Sequence, residues 1–301
     1  MFFIRILYKF CDSWVLTFKV CRVRITVKIG FKILAKNVCK GCGRLGKGVG
    51  MDLKVISFNI RCADDRDGHS IAERAPRLWK VTKPCDADII GFQEYVPNWE
   101  EPIKELFGTE YEIFNKYRTT TGHIESAPIL WKKDKFDCEK KGYFWLSDTP
   151  EVESGGWDIY EHNRICTYAI LKEKISGKRF TFINTHLGFG EENQIKSVNL
   201  ILDYVKKISD LPTVVTGDFN MTPSTVQYKI MASKMVDVNA VTAKDWNSTF
   251  HGYEIGKYDD AHIDYCFVND LITPKNLKVL DELVDGKFPS DHFGLFAEVE
   301  V

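Results

Sequence analysis

From residue 51 onward, short apolar runs rich in Val, Ile and Phe alternate with polar turns, at the period of two that suits β-strands. These runs predict strands over 54–59, 88–93, 127–131, 164–171, 179–184, 213–216 and 263–268, with another in the tail 293–301. Three segments follow the helical period instead. Asn98 is a candidate N-cap with Glu101 three residues on, and a second helix is expected near Thr222, with Pro223 at its first helical position. The longest is predicted over 192–209, where Ile195, Val198, Leu202, Val205 and Ile208 recur at steps of three and four and so share one face. Strands interspersed with helices predict an α/β or α+β domain. No repeat, low-complexity tract or Pro/Gly linker divides residues 51–301, so one domain is expected there.

The first fifty residues follow another pattern. Apolar and basic positions alternate, and the stretch CRVRITVKI (21–29) has the alternation of a half-buried strand or of a basic surface-binding arm. The segment holds 11 basic residues against one acid, Asp12, a net of +10; from the totals of 41 and 42, residues 51–301 keep 30 basic and 41 acidic, a net of −11. The overall balance of −1 therefore hides two differently composed segments. Met51 opens the first strong strand pattern and follows a Gly-Lys-Gly-Val stretch that purine-rich codons can encode. Residues 1–50 are accordingly expected to be a basic extension outside the native protein, with Met51 as the natural start. Cys39 and Cys42 have the spacing of half a zinc site, but no second pair follows at finger-like distance, so zinc is not expected there.

At 44% hydrophobic and 28% charged residues the chain is globular in composition. No uncharged apolar run approaches the roughly 18 residues of a membrane span, so an integral membrane protein is not expected. The longest charge-free run among the first forty residues, 13–18, is too short for a signal peptide. Nine cysteines, an odd number, do not make a disulfide-framed scaffold and point to a reducing, cytoplasmic setting.

The candidate chemistry collects where predicted strands end. VISFN ends at Asn59, DIIGFQ runs into Glu94, FTFINT into His186, and TVVTG into Asp218 with Asn220 two residues later. Strand ends are where a rigid sheet can present reactive groups to a substrate held by loops. Near the C-terminus, Ile263-Asp264-Tyr265 and Ser290-Asp291-His292 add a carboxylate and an imidazole. A carboxylate that accepts one imidazole N–H fixes the tautomer and raises the ring's basicity, so Asp264 with His292 would make a tuned acid/base or phosphate contact.

In order, SFNIR, GFQE, FWLSDTP, NTHL, GDFN, IDYCFV and SDHFGL resemble the endonuclease/exonuclease/phosphatase, or DNase I-like, superfamily over residues 53–301. The resemblance implies a four-layered sandwich of two mixed β-sheets flanked by helices, with the active site at one end. It also implies a metal-dependent phosphoesterase that uses Mg2+, with Mn2+ able to substitute. Glu94 is the implied principal metal ligand, with Asn59 beside it and Asp291 near enough to help; such hard oxygen ligands suit magnesium. Hydrolysis of an anionic phosphoester needs the nonbridging oxygens neutralised, a water aligned or deprotonated, and the leaving oxygen stabilised. His186 and His292 are assigned to the phosphate and Asn220 to the strained oxygen. Asp218 is the candidate base, and His292 held by Asp264 is the competing one. Arg164 is a candidate phosphate contact, with a surface ion pair as its alternative role. Cys62, close to Asn59 in sequence, is expected to be packed or incidental.

The chain departs from that family group at two places. Gly188-Phe189 stands where many relatives carry Asp-His, and Lys196 is the nearest basic residue to an expected Arg. Both lie toward the substrate rim and put any relative's substrate in doubt. The net of −11 disfavours a polyanion, so a compact phosphoester is the expected substrate, with a DNA or RNA nuclease as the alternative. Trp157, Tyr160, Trp246 and Tyr253 fall in predicted loops and could stack on bases or seal core edges. Glycoside hydrolysis by Glu94 and Asp218 would leave the histidines and asparagines without a role. A non-catalytic interaction protein on this fold would be expected to have lost Glu94, Asp218 or His292, and all three are present.

Overall fold

The computed structural model describes residues 5–10, 13–20, 23–30 and 50–301, and the chain divides into two compact units, Met1–Val49 and Gly50–Val301. In the first, β1 (Arg5–Phe10), β2 (Ser13–Val20) and β3 (Val23–Gly30) form an antiparallel sheet in that order. The alternating stretch singled out above contributes β3. Cys39 and Cys42 lie outside the described residues.

The second unit begins with β4 (Asp52–Asn59), α1 (Ile71–Thr82), β5 (Ile89–Gln93), α2 (Glu100–Phe107), β6 (Tyr111–Phe114) and β7 (Ile129–Lys132). It continues with β8 (Phe136–Trp145), β9 (Ile165–Glu173), β10 (Arg179–His186), α3 (Glu191–Ile208), β11 (Thr213–Asp218) and α4 (Val226–Ala232). The last elements are β12 (Val236–Asp237), α5 (Val238–Val241), β13 (Asp264–Val268), β14 (Thr273–Leu280) and β15 (Gly294–Glu300). Two mixed six-stranded sheets result, ordered β14-β15-β4-β5-β7-β6 and β12-β13-β11-β10-β9-β8.

The period of two explains the layers. On β4, Leu53 and Val55 face the other sheet and pack with Phe180, Phe182 and Val214, whereas Ile56 and Phe58 face outward onto Ile71 and Leu78 of α1 and Ile103 of α2. On the second sheet, Val215 of β11 and Phe267 of β13 pack outward against Val198 and Ile201 of α3 and Met231 of α4. The layers are helix, sheet, sheet, helix, as the family resemblance implied. No helix among the described residues is long and apolar enough to cross a membrane.

The eight expected strands are all present; two helix starts move. Asn98 lies in a 3-10 turn, Pro97–Trp99, and α2 begins at Glu100 without a side-chain cap. Near Thr222, α4 waits until Val226, because the Thr225 hydroxyl caps it by accepting from Tyr228 N, with Pro223 in the preceding turn. Helix α3 buries Val198, Ile201 and Leu202, and its face is rotated so that Gln194 is also buried while Ile195, Val205 and Ile208 are only half-buried. Helix α1 and the edge strands β6, β8, β12 and β14 were not expected from the pattern.

Met51 closes the second unit by exchanging both backbone hydrogen bonds with Val301 at 2.9 Å. A chain beginning at Met51 is therefore expected to unfold cooperatively, with a calorimetric midpoint within about 4 °C of the full chain, a change of about 1 kcal/mol or less. An insoluble product or a larger loss would show that the first fifty residues brace the domain.

Candidate active site

The parallel pairs β4/β5 and β10/β11 end at the same edge of the sandwich. Asn59 is in register with Gln93, whose neighbour is Glu94, and His186 is in register with Asp218. The antiparallel strand β13 brings its first residue, Asp264, opposite Asp218. Asp291 and His292 lie just before β15. All nine residues singled out in the sequence therefore belong to this end of the sandwich, Arg164 entering just before β9. Three of the left-handed non-glycine residues in the chain also lie here, Arg61 (φ 64°), Glu94 (57°) and Asn220 (48°), each just past a strand end. Such a backbone costs about 1–3 kcal/mol per residue and persists only where surrounding contacts hold it.

Those contacts are buried hydrogen bonds. Asn59 Nδ2 donates to Glu94 Oε1 at 3.0 Å and across the sheets to Asp218 Oδ2 at 2.9 Å, while its Oδ1 accepts from Arg61 N at 3.0 Å. Behind it, Gln93 Nε2 donates to Asn184 Oδ1 at 2.8 Å, and Asn184 Nδ2 donates to Phe92 O at 2.7 Å and Pro128 O at 2.9 Å. The Asn220 backbone N–H donates to Asp218 Oδ1 at 2.9 Å, and Asn220 Nδ2 lies 3.1 Å from His186 Nε2.

His292 Nδ1 lies 2.9 Å from Asp264 Oδ2, and its Nε2 lies 3.7 Å from Asp218 Oδ2. Burial alone would lower the imidazole, but the Asp264 charge and hydrogen bond, with Asp218 behind them, push it up to about 10. Burial and the Asp264 charge push the Asp218 carboxyl up to about 7. His186 is driven the other way, well below its ordinary range, by burial and the nearby Arg164. At neutral pH these directions give an imidazolium at His292, a neutral ring at His186 and a carboxyl at Asp218 poised to exchange a proton.

Glu94 accepts from the Cys62 backbone N–H at 2.8 Å in addition to Asn59. Burial opposes its ionisation, yet the Cys62 N–H and the His292 charge hold it below the usual carboxylate range. Asp291 is raised by burial and by the like charge of Glu94, and Arg61 Nη1 lies 3.2 Å from its Oδ2. Two carboxylates that repel each other, one buried and one half-buried, with hard oxygen donors, fit a divalent cation of the magnesium kind. Asn59 turns its amide nitrogen, not its oxygen, toward Glu94. A second group of ligand-type atoms, on Asp218, Asp264 and His292, lies within 4.8 Å of one another.

The pocket above these groups has a volume of about 510 Å³ and is walled by Arg164, Tyr160, His162, Phe189 and Phe250. Arg164 is not on the surface: it is 4% exposed, its Nε donates to Asp158 Oδ2 at 2.8 Å, and its Nη1 has no hydrogen-bond partner. Asp158 Oδ1 also accepts from Phe189 N at 3.2 Å. A side chain at Gly188 would come within 2.6 Å of the Asp158 carboxyl carbon, so the departure at Gly188-Phe189 makes room for this brace. Phe189, 40% exposed, meets Tyr160, 61% exposed, edge-on at 5.5 Å. Of the four loop aromatics only Tyr160 lines the pocket. Trp157 donates to Asp148, Trp246 packs on Tyr228, and Tyr253 lies against His69. Lys196 pairs with Glu192 at 2.8 Å away from the pocket wall.

Sequence patterning assigned no role to Asp158 or to the wall residues Arg61, His123, Glu125 and His162. Arg61 stood inside the SFNIR motif; the others come from irregular segments that carry no period. Cys62, expected to be packed or incidental, is half-buried and also lines the pocket.

The Endonuclease/Exonuclease/phosphatase family model matches residues 56–292. A solved endonuclease/exonuclease/phosphatase from Bacteroides vulgatus is 31% identical with a TM-score of 0.77, covering 83% of this chain and 99% of that one. A solved mannosyl-6-phosphatase from Bacteroides thetaiotaomicron is 30% identical with a TM-score of 0.74, covering 82% and 99%. Human tyrosyl-DNA phosphodiesterase 2 is 22% identical over 274 residues, 84% of this chain and 69% of that protein. With the family match spanning the strand-end motifs and the architecture shared, the chain belongs to the Endonuclease/Exonuclease/phosphatase family.

Proposed function

We propose that the protein is a magnesium-dependent hydrolase of a compact phosphoester, acting by in-line attack of water. The observation that carries this is that Asp218 and His292, the latter held from behind by Asp264, line one pocket with the Glu94/Asp291 carboxylate pair. Glu94 and Asp291 would hold a divalent cation, which would supply charge neutralisation for the anionic phosphoester. His292, kept cationic by Asp264, serves as an electrophile toward a nonbridging oxygen and cannot act as a base while it carries its proton. Asp218 is the base: its carboxyl is pushed up to about 7, close to working pH, where Brønsted behaviour favours proton transfer from water. Arg164, with an unpartnered Nη1, offers a further N–H donor to the phosphate, whereas Asn220 is already engaged, its Nδ2 donating to Leu187 O at 2.9 Å. Neutral His186, whose Nε2 lies 3.1 Å from Asn220 Nδ2, orients that amide. Asn59 holds Glu94 and Asp218 in register.

The pocket supports a compact substrate. Its outer wall is aromatic at Tyr160 and Phe189, the domain is net acidic, and the 30% identical mannosyl-6-phosphatase favours a sugar phosphate monoester. Cleavage of nucleic acid is the second reading, favoured by the match to tyrosyl-DNA phosphodiesterase 2 across 84% of the chain.

Asp218→Asn and His292→Ala are each expected to lower turnover by about 10² to 10⁴ without loss of fold. Glu94→Gln should instead raise the magnesium concentration needed for half-maximal rate and recover in part at high magnesium. Metal titrations of steady-state rate check both, and full activity after chelation would refute the magnesium role.

The pH profile separates His292 from its carboxylate partner. Wild-type kcat/KM should rise as Asp218 loses its proton near pH 7 and fall as His292 loses its own near pH 10. Asp264 raises the imidazole, so Asp264→Asn should move the alkaline limb to lower pH. An unmoved limb would assign it to another group.

For substrate, a sugar phosphate should be hydrolysed with higher kcat/KM than duplex DNA at about 150 mM salt, where long-range attraction to a polyanion is screened. Efficient DNA cleavage whose affinity falls steeply with salt would establish the nuclease reading instead.

A further inference from the structure

One cluster on the pocket wall has no part in the chemistry above. Cys62 leaves the loop after β4, and His123 and Glu125 come from the segment between β6 and β7; their ligand-type atoms all lie within 4.8 Å of one another. Each is held in place. The Cys62 backbone N–H is bound to Glu94 Oε2 at 2.8 Å. Glu125 is buried, its Oε2 accepts from Arg118 Nη1 at 3.0 Å, and its Oε1 lies 2.7 Å from His123 Nδ1. The buried His186 Nδ1 lacks a hydrogen-bond partner and lies 3.8 Å from Glu125 Oε2, and the His162 ring stands 5.3 Å from that of His123. The cluster thus mixes sulfur, nitrogen and oxygen donors, whereas Glu94 and Asp291 offer oxygen alone.

Donor type decides which cation each set prefers. Thiolate and imidazole favour zinc and its borderline neighbours, in tetrahedral sites that leave room for water or a fourth ligand. Of the nearby guanidinium groups, Arg164 is matched by Asp158 and Arg61 by Asp65, while Arg118 pairs with Glu125 Oε2 and leaves Oε1 on the His123 side. Glu94 adds negative charge next to Cys62.

We propose that Cys62, His123 and Glu125 form a second metal site, selective for zinc or a similar borderline cation, on the wall of the pocket beside Glu94. The thiol proton leaves to solvent as the metal–sulfur bond forms. An ion there shares the wall with Glu94 and takes up space a substrate would need, so zinc would act against the magnesium-supported reaction.

The test reads metal binding and needs no turnover, so its outcome stands apart from the phosphoesterase proposal. The full chain is stripped with a chelator and titrated with Co2+ alone, then with Zn2+. One equivalent of cobalt should give a near-ultraviolet sulfur-to-metal charge-transfer band that zinc abolishes and millimolar magnesium does not. Cys62→Ser should lose the band. His123→Ala, a change at an exposed loop position, should weaken zinc binding at least about 10-fold, the least that loss of even an outer-shell partner costs. The double variant Cys39→Ser/Cys42→Ser should keep the band. The proposal is overturned if the band survives in Cys62→Ser, if it disappears with Cys39 and Cys42, or if zinc affinity depends on Glu94 but not on His123.

Discussion

Everything at the active end of this fold hangs on a single side-chain amide. Asn59 Nδ2 donates to Glu94 in its own sheet and to Asp218 in the facing one, at 3.0 and 2.9 Å. Two packed sheets would otherwise meet at this edge through a half-buried and a buried carboxylate with nothing between them but repulsion. An unpaired buried polar group costs about 1–3 kcal/mol, and more for a charged one, so the amide turns a liability into a fixed spacing. The Gln93–Asn184 ladder behind it repeats the device one layer deeper, and beyond that the interface becomes apolar, with Val55, Ile89, Phe182 and Val214 filling the gap. The sandwich therefore has a dry end that supplies stability and a polar end that supplies geometry.

Fixed spacing lets one environment give neighbouring groups opposite protonation behaviour. Glu94 is held ionised, Asp218 is pushed up to about 7, His292 up to about 10 and His186 down. The buried groups differ chiefly in their partners. Of the two histidines, Asp264 bonds His292 and not His186, and that asymmetry separates them. Two histidines and two aspartates at this end of the sandwich are thus driven toward different protonation states, the separation that tuned acid–base sites require.

How much of this was legible in the chain follows from where each residue sits. The central strands β4, β5, β10, β11 and β13 are buried on both faces or nearly so, and their near-continuous apolar runs announce them along with the polar residues at their ends. The edge strands β8 and β14 were missed because an edge favours charge: FDCEKKGYFW and TPKNLKVL read as loops until a neighbour supplies the pairing. Helix α1 was hidden by Pro76 and by Arg74, which interrupts an apolar face yet is buried, its guanidinium donating to the backbone carbonyls of Ile60, Arg61, Ala63 and His69. Asp158, His123, Glu125 and His162 lie in irregular segments, where contact depends on tertiary packing and no local spacing reveals it.

The rim shows how a chain can keep its reaction core and change what surrounds it. Gly188 is required because Asp158 occupies the space its side chain would fill, and Asp158 is there to brace Arg164 and the Phe189 backbone. The same loop then turns Phe189 outward against Tyr160, so this wall of the pocket is aromatic where many relatives are expected to be polar. An arginine fixed from behind keeps its remaining N–H groups preorganised for an anion, while the aromatic pair offers a flat apolar surface beside it. Asp158 thus ties the segment that carries Arg164 to the one that carries Phe189, and a change in either must be accommodated by the other.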